Sequence, residues 1–373
     1  MKSFLVFSIL FLSGIISYTQ FVSTIVDSLG VKFRDDIILD QSGNIYCSDY
    51  SGTNVYQLTP DGGISIFVTG LNTPNGLAFD SQNNLFVCDH MGNAIYKVSP
   101  AGDVLDTIST NRPSGLITSF DSDTLIFTEY GNSHQLKKLA PDGSITTFIA
   151  GPPLNGPVGL TYDNLGQLYV ANFNNRQVFK VVNNTLEYLT TVPGPSSGFL
   201  GFLAYGGGYL WATSWNANKI YGIDPNFTDS TFVYAGSSNG GMDGELSVAT
   251  FNSPNGIYVN DNADTMYISE YNTGRLRMIS PESNSIESQL SNSDPDLQIE
   301  VYPNPSIGDL QIINHSDHKI LKISVYNLLG EQVQASSYND SYTQITIEDS
   351  GVYFIVSTLE NNHQIVTKVI ISK

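Results

Sequence analysis

The sequence predicts an all-β protein, a six-bladed β-propeller followed by a small immunoglobulin-like β-sandwich. The first observation is a repeat: a Pro/Gly turn, a short apolar strand, then a second strand that ends in a polar residue beside an aromatic one, six times over. The second strands end at Asp49, Asp89, Glu129, Asn172, Ser214 and Glu270, at spacings of 40, 40, 43, 42 and 56 residues, close to the length of a four-stranded blade. The second is composition: of 373 residues 33 are Gly and 21 Tyr, only 14% are charged, and no long segment has helical periodicity. The third is a change to a polar stretch near residue 291, after which apolar alternation resumes over 320–326 and 351–357, as a small antiparallel sandwich requires.

In chain order, Lys2, an apolar run over 4–16 and a polar exit at Ser17 to Gln20 read as a signal peptide, residues 1–20. That run is short for a membrane span, and no other approaches the roughly 20 residues a spanning helix needs, so the mature protein is expected to be exported without a transmembrane segment. Thr24, Ile25 and Val26 read as an outer strand without a blade of its own, placed to close the ring by pairing with the last blade and so remove two sheet edges. The propeller is assigned to 21–290. Its turns are Pro74-Asn75-Gly76, Pro113-Ser114-Gly115, Pro157-Val158-Gly159 and Pro254-Asn255-Gly256, replaced by Arg34-Asp35-Asp36 in blade 1 and by 198–201 in blade 5. Within blade 2 the predicted strands are 76–80, 84–89, 94–99 and 103–109; blade 3 repeats them at 125–129, 136–139 and 144–149, and blade 4 at 167–172, 178–182 and 186–192. The only cysteines, Cys47 and Cys88, fall on corresponding strands of adjacent blades with opposite facing, and read as buried thiols. Residues 291–296 are the linker and 297–373 the second domain.

The segments 235–244 and 249–257 resemble the long inter-blade connection of NHL-repeat propellers, and 49–54 and 214–220 resemble the turn between second and third strands in that family. The resemblance covers roughly 21–290 and extends to lactonase-like propellers of the SMP-30/gluconolactonase group, which share the fold but differ in function. Three further blocks, 301–308, 323–330 and 351–355, closely resemble the C-terminal sorting domain of the type IX secretion system, subtype A. That resemblance implies passage across the outer membrane with the secretion machinery as partner, then release or attachment at the cell surface.

Topology brings the turns before the inner strands and the ends of the second strands to one face. Beside the strand ends stand six rings, Tyr50, His90, Tyr130, Phe173, Trp215 and Tyr271. With Asp89, Glu129 and Glu270 they form an expected acidic, aromatic-rimmed funnel able to hold a sugar, a peptide or a cation. The alternative role for the acids is to accept backbone N–H bonds within their own turn. Asp35, Asn75 and Asn255 break the repeat, and the resemblance to lactonase-type propellers, which hold one divalent cation in the pore, implies that their oxygens would ligate such an ion, Ca, Mn or Zn. In lactonase-type propellers such an ion polarises the lactone carbonyl, but opposite these residues stand Val158 and the Phe199-Leu200 stretch, which cannot ligate it.

A formal charge of −19 disfavours nucleic acid and anionic lipid surfaces. The expected function is therefore a secreted or cell-surface binding protein for a glycan, peptide or protein ligand. A metal-dependent lactonase is the alternative, and a surface adhesin or scaffold the second alternative.

Overall fold

The computed structural model describes residues 20–27, 30–131, 133–281, 299–304, 306–315, 318–327, 332–337, 342–360 and 364–372. The assigned linker and all of the assigned signal peptide except Gln20 lie outside them.

The propeller has six antiparallel sheets. Blade 2 is Pro74–Phe79, Leu85–Asp89, Ala94–Val98 and Val104–Ser109, paired in that order from the axis outward. Blade 1 begins with the short Ile37–Leu39, blade 3 with Pro113–Thr118, blade 4 with Pro157–Tyr162 and blade 5 with Leu200–Gly206. Neighbouring inner strands pack side by side around the ring, and that of blade 6, Pro254–Val259, meets that of blade 1. Each sheet lies between two others, so second strands are buried on both faces rather than alternating: every residue of Leu85–Asp89, Leu125–Glu129, Leu168–Asn172 and Met266–Glu270 is buried. The cores accordingly lie between blades. Phe86, Cys88 and Ile95 of blade 2, for example, pack on Leu116, Leu125 and Phe127 of blade 3. Cys47 and Cys88 are free thiols, both buried.

Predicted and observed strands differ by a residue or two, most at the inner strands. That of blade 2 starts at Pro74, two residues early, because Pro74 pairs with Asp89 before a bulge shifts the register ahead of Leu77.

Closure uses the N-terminus. Gln20–Val26 adds to Leu276–Pro281 as the outer strand of blade 6, so a late strand and the earliest described one share a sheet. One side chain secures this seam. Arg277 is 0% exposed and lies 5.1 Å from the Phe251 ring centre. Its Nη1 donates to Glu270 Oε1 at 2.7 Å and Thr250 O at 2.9 Å, and its Nη2 donates to Asp243 Oδ1 at 2.7 Å. Asp243 in turn accepts from Thr24 N and Thr24 Oγ1 on the closing strand, at 2.9 and 2.8 Å.

The C-terminal sandwich has one sheet of Ile299–Tyr302, Asp309–Asn314 and Tyr342–Thr346, and another of Gln332–Ser337, Ile320–Asn327, Gly351–Leu359 and Gln364–Ile371. Val301, Leu310, Ile312, Ile323, Ile345 and Ile355 help fill its core. Among the described residues no helix is long and apolar enough to cross a membrane.

Truncating one partner of a buried ion pair strands the other, at a cost of about 3–5 kcal/mol. Glu270→Ala should therefore lower the melting temperature by roughly 10 °C. Glu270→Ala with Arg277→Met should recover part of that loss, and additive losses in a double-mutant cycle would show that the two side chains do not act as a pair.

Candidate functional site

The turn glycines are where neighbouring backbones touch. A Cβ on Gly76 would run into Ser114 O, one on Gly115 into Val158 O and one on Gly256 into Asp35 O, so none of these three positions has room for a side chain. The residue before the glycine offers its carbonyl to the preceding blade. Ser48 Oγ donates to Asn75 O at 2.6 Å, Ser269 Oγ to Asp35 O at 2.6 Å, and Thr213 Oγ1 to Asn255 O at 2.5 Å. In blade 1, Asp36 stands in the glycine position; its carboxylate accepts Ile37 N at 2.9 Å and Leu77 N of the next inner strand at 2.8 Å.

The six residues in that pre-glycine position are Asp35, Asn75, Ser114, Val158, Gly201 and Asn255. In blade 5, Leu200 pairs with Ser214 as Pro74 does with Asp89, which aligns Gly201 with Asn75 in register, while a Cβ on Gly201 would run into Asn255 O, so Gly201 also serves the close approach that the turn glycines serve elsewhere. Blades 6, 1, 2 and 3 thus contribute a polar arc and blades 4 and 5 an apolar one. Asn255 Nδ2 donates to Asp35 Oδ1 and, at 3.1 Å, to Arg34 O, while Asn75 Nδ2 donates to Ser114 Oγ at 3.1 Å. Asp35 and Asn75 are only 2% and 4% exposed, yet Asp35 Oδ2 and Asn75 Oδ1 have no hydrogen-bond partner among the described residues. Burial holds the Asp35 carboxyl well above the usual carboxylate range, and the neighbouring Asp36 charge raises it further against the opposing Asn255 hydrogen bond.

The strand-end acids do something else. Both carboxylate oxygens of Asp89 accept Asn72 N at 2.9 Å. Glu129 Oε1 accepts Asn111 N at 3.2 Å, Thr110 Oγ1 at 2.8 Å and Lys137 Nζ at 2.7 Å. Asn172 Oδ1 accepts Asn155 N at 3.0 Å, and Glu270 Oε1 accepts Asn252 N at 3.1 Å. Each of these N–H groups lies two residues before the turn proline. The acids therefore tether the turn that carries the pre-glycine residue, and the structure places Asp89, Glu129 and Glu270 in bonds to their own blade's connecting segment. In blade 1, Asp49 pairs instead with Arg34 at 3.2 Å.

The rings come together. Centroid separations run Tyr50–His90 6.0 Å, His90–Tyr130 5.7 Å, Tyr130–Phe173 6.3 Å, Phe173–Trp215 5.6 Å, Trp215–Tyr271 4.5 Å and Tyr271–Tyr50 6.2 Å, a closed circuit of one ring per blade. Five are anchored by the same bond: the backbone N–H of His90, Tyr130, Phe173, Trp215 and Tyr271 donates to the carbonyl of Thr73, Arg112, Gly156, Phe199 and Ser253. Those acceptors precede the turn residue that pairs with the second-strand end, so the rings sit nearer the propeller face than the polar arc. His90 Nδ1 donates to Pro113 O at 3.2 Å. Burial lowers the imidazole pKa and pushes the Tyr50 phenol up to about 12, so both rings are uncharged at neutral pH.

Sequence reasoning missed Ser114, although its turn was recognised, and it gave Phe199 no role. Phe199 stacks on Phe173 at 4.5 Å with an interplanar angle of 11° and lies 5.8 Å from Trp215, doubling the wall at blade 5. His134, the other propeller histidine, accepts Gly156 N at Nδ1 and packs on Tyr130.

Residues 300–372 match the secretion system C-terminal sorting domain, and residues 154–181, spanning most of blade 4, match the NHL repeat. No curated protein matches the sequence. Solved propellers share the fold. A gluconolactonase from Xanthomonas campestris is 18% identical with a TM-score of 0.55, over 70% of this chain and 89% of its own. An auxiliary nutrient binding protein from Bacteroides ovatus is 16% identical with a TM-score of 0.58, over 71% and 78%. A protein of unknown function from Bacteroides thetaiotaomicron is 15% identical with a TM-score of 0.59, over 70% and 76%.

Asp36 supplies a pH test. Burial lifts its carboxyl from an ordinary 3.8 to about 7, against the backbone N–H bonds from Leu77 and Ile37 that lower it. Between those two values the folded state holds a proton that the unfolded chain has lost. This contribution to stability is complete below the lower value and is lost as pH rises through about 7. Asp35 is shifted in the same direction. Urea midpoints should therefore fall on going from acid to mildly alkaline pH, and Asp36→Asn should flatten the fall. An unchanged slope in the variant would remove Asp36 as its source.

Proposed function

For a chain that joins an NHL-type β-propeller to a type IX C-terminal sorting domain, we propose that it is an exported binding protein whose ligand sits at the ring-lined end of the propeller channel. One observation carries this reading: a closed circuit of six rings next to a buried polar arc with two oxygens unpartnered among the described residues. Leaving a buried acceptor unpaired costs about 1–3 kcal/mol, so two in neighbouring blades favour a partner from outside the chain. Tyr50, His90, Tyr130, Trp215 and Tyr271 are the contact residues of this proposal, and Asp89, Glu129 and Glu270 serve as their support. Residues 21–290 are the binding unit and 297–373 the transport signal.

The unpartnered oxygens also favour a second reading, a divalent cation serving lactone hydrolysis. Asp35, Asn75 and Asn255 are oxygen-bearing and fit a hard cation in kind; when bound, such an ion would polarise a substrate carbonyl. In number they fit poorly. Val158 and Gly201 complete the circle without a side-chain oxygen, and among the described residues no group of three His, Cys, Asp or Glu converges. The binding role therefore stands first.

Two measurements separate the readings. In a Trp211→Phe background, Trp215 is the sole indole of the chain. A ligand at this face should change its emission, and Tyr271→Ala should weaken that ligand tenfold or more. Unchanged emission together with unchanged affinity in Tyr271→Ala would place binding on another surface, as an adhesin requires. Separately, calcium, manganese or zinc at 100 times its dissociation constant should add about 2.7 kcal/mol to the chelated protein if the cation site exists. A melting shift abolished by Asn75→Ala with Asn255→Ala would promote the hydrolase, and no shift would retire it.

A further inference from the structure

Resting on the reading that this face is the binding site, we propose that its ligand is an organic monocation, an alkylated ammonium group seated on the channel axis between the six rings with its charge toward Asp35.

The geometry favours this over a sugar or a metal ion. In a regular hexagon the radius equals the side, so a circuit with centroid separations between 4.5 and 6.3 Å sets its ring centres, on average, about 6 Å from an occupant of the axis, the limit at which a cation still feels the ring quadrupole. The rings do not form a flat platform. Adjacent planes around the circuit meet at angles from 36° to 77°, and the parallel pair, Phe173 with Phe199, is stacked on itself. A pyranose needs a broad flat face to stack against, whereas a compact, nearly spherical alkylammonium head needs ring density on all sides. Calcium or zinc would have to exchange most of its hydration for an arc with few oxygens; an alkylated ammonium is weakly hydrated and gives up little water.

The charges agree. His90 is neutral, so the circuit presents quadrupoles without a fixed positive charge. One layer inward, Asp35 Oδ2 is buried and, among the described residues, unpartnered; a cation that reaches the arc would favour the ionised carboxylate that burial and Asp36 disfavour, and so gain its counter-charge there. The other charged groups nearby are Asp36, tied to Ile37 and Leu77, Asp49, paired with Arg34, and Arg112, exposed on the approach to blade 3 and close enough to influence both Tyr50 and His90. Arg112 opposes a second positive charge at the rim, which limits the ligand to a single cationic head. A net charge of −19 concentrates such cations around the protein.

The test compares choline with 3,3-dimethylbutan-1-ol, which has the same shape without the charge, on the full chain in the Trp211→Phe background. Choline should change Trp215 emission, and the neutral isostere should bind about tenfold more weakly or worse. Asp35→Asn should reduce choline affinity while leaving that of the isostere unaltered. Tyr271→Leu should reduce choline affinity too, and it keeps the inference testable if Asp35→Asn fails to fold. Equal affinity for choline and the isostere would overturn the inference, as would the absence of binding by choline and by tetramethylammonium at 10 mM. In either case a neutral oligosaccharide or peptide that changes Trp215 emission and is weakened in Tyr271→Leu would leave the binding site standing and remove only the cation.

Discussion

Everything at the candidate site depends on the approach of one inner strand to the next at the turn glycine. With no Cβ at Gly76, Gly115 and Gly256, the backbones of consecutive blades meet directly, and the residue just before each glycine is fixed at the centre of the molecule. Its carbonyl is then within reach of a hydroxyl from the preceding blade, as Ser48, Thr213 and Ser269 show. This closeness is sustained only if the ring is closed, because an open seam between blades 6 and 1 would free two edges and let the circle relax. Arg277 carries that seam: it binds Glu270 in the second strand of blade 6 and, through Asp243, the strand that arrives from the N-terminus. The centre of the propeller is therefore held from its rim.

Within this frame the repeat separates two kinds of position. The strand-end acid or amide recurs because its task recurs: Asp89, Glu129, Asn172 and Glu270 all accept the backbone N–H two residues before the turn proline. The pre-glycine position has no such common task for its side chain, and there the six blades diverge into Asp, Asn, Ser, Val, Gly and Asn. Scaffold positions keep the symmetry of the propeller, whereas the positions free of scaffold duty break it. The aromatic position lies between these extremes. It is always a ring, so it packs everywhere, but the six rings differ in size and polarity, and the circuit they close is uneven.

Much of this was legible in the chain. The turns, the strand-end residues and the paired rings are local signals, tied to short stretches whose chemistry admits few conformations, and the leftover strand at Thr24 to Val26 marked the closure. Ring contact was less legible, because whether Trp215 meets Tyr271 depends on blade curvature that no single blade encodes. The partner of each acid was also hidden. Asp89 beside His90 reads equally as a ligand-facing pair or a tethered carboxylate, and only the fold shows Asn72 N against both of its oxygens. Blade 5 misled because it lacks the proline; pairing of Leu200 with Ser214 shifts the central position to Gly201. The hydroxyl clasp went unseen since it joins residues 27 to 234 apart, and in blade 2 Cys88 fills the corresponding slot.

The asymmetry at the centre also bears on cost. A propeller could fill its axis with small apolar residues, as blades 4 and 5 do with Val158 and Gly201, and leave no polar atom unpaired. This chain instead buries a carboxylate next to a second one, Asp36, and holds both above their ordinary pKa. Each choice disfavours the folded state at neutral pH. A fold assembled from six interlocked sheets can carry that penalty, because the packing between blades stabilises the ring regardless of what its centre contains. Polar atoms placed against the interest of stability, on the axis and one layer beneath a circuit of uncharged rings, make sense where a ligand returns what burial takes away.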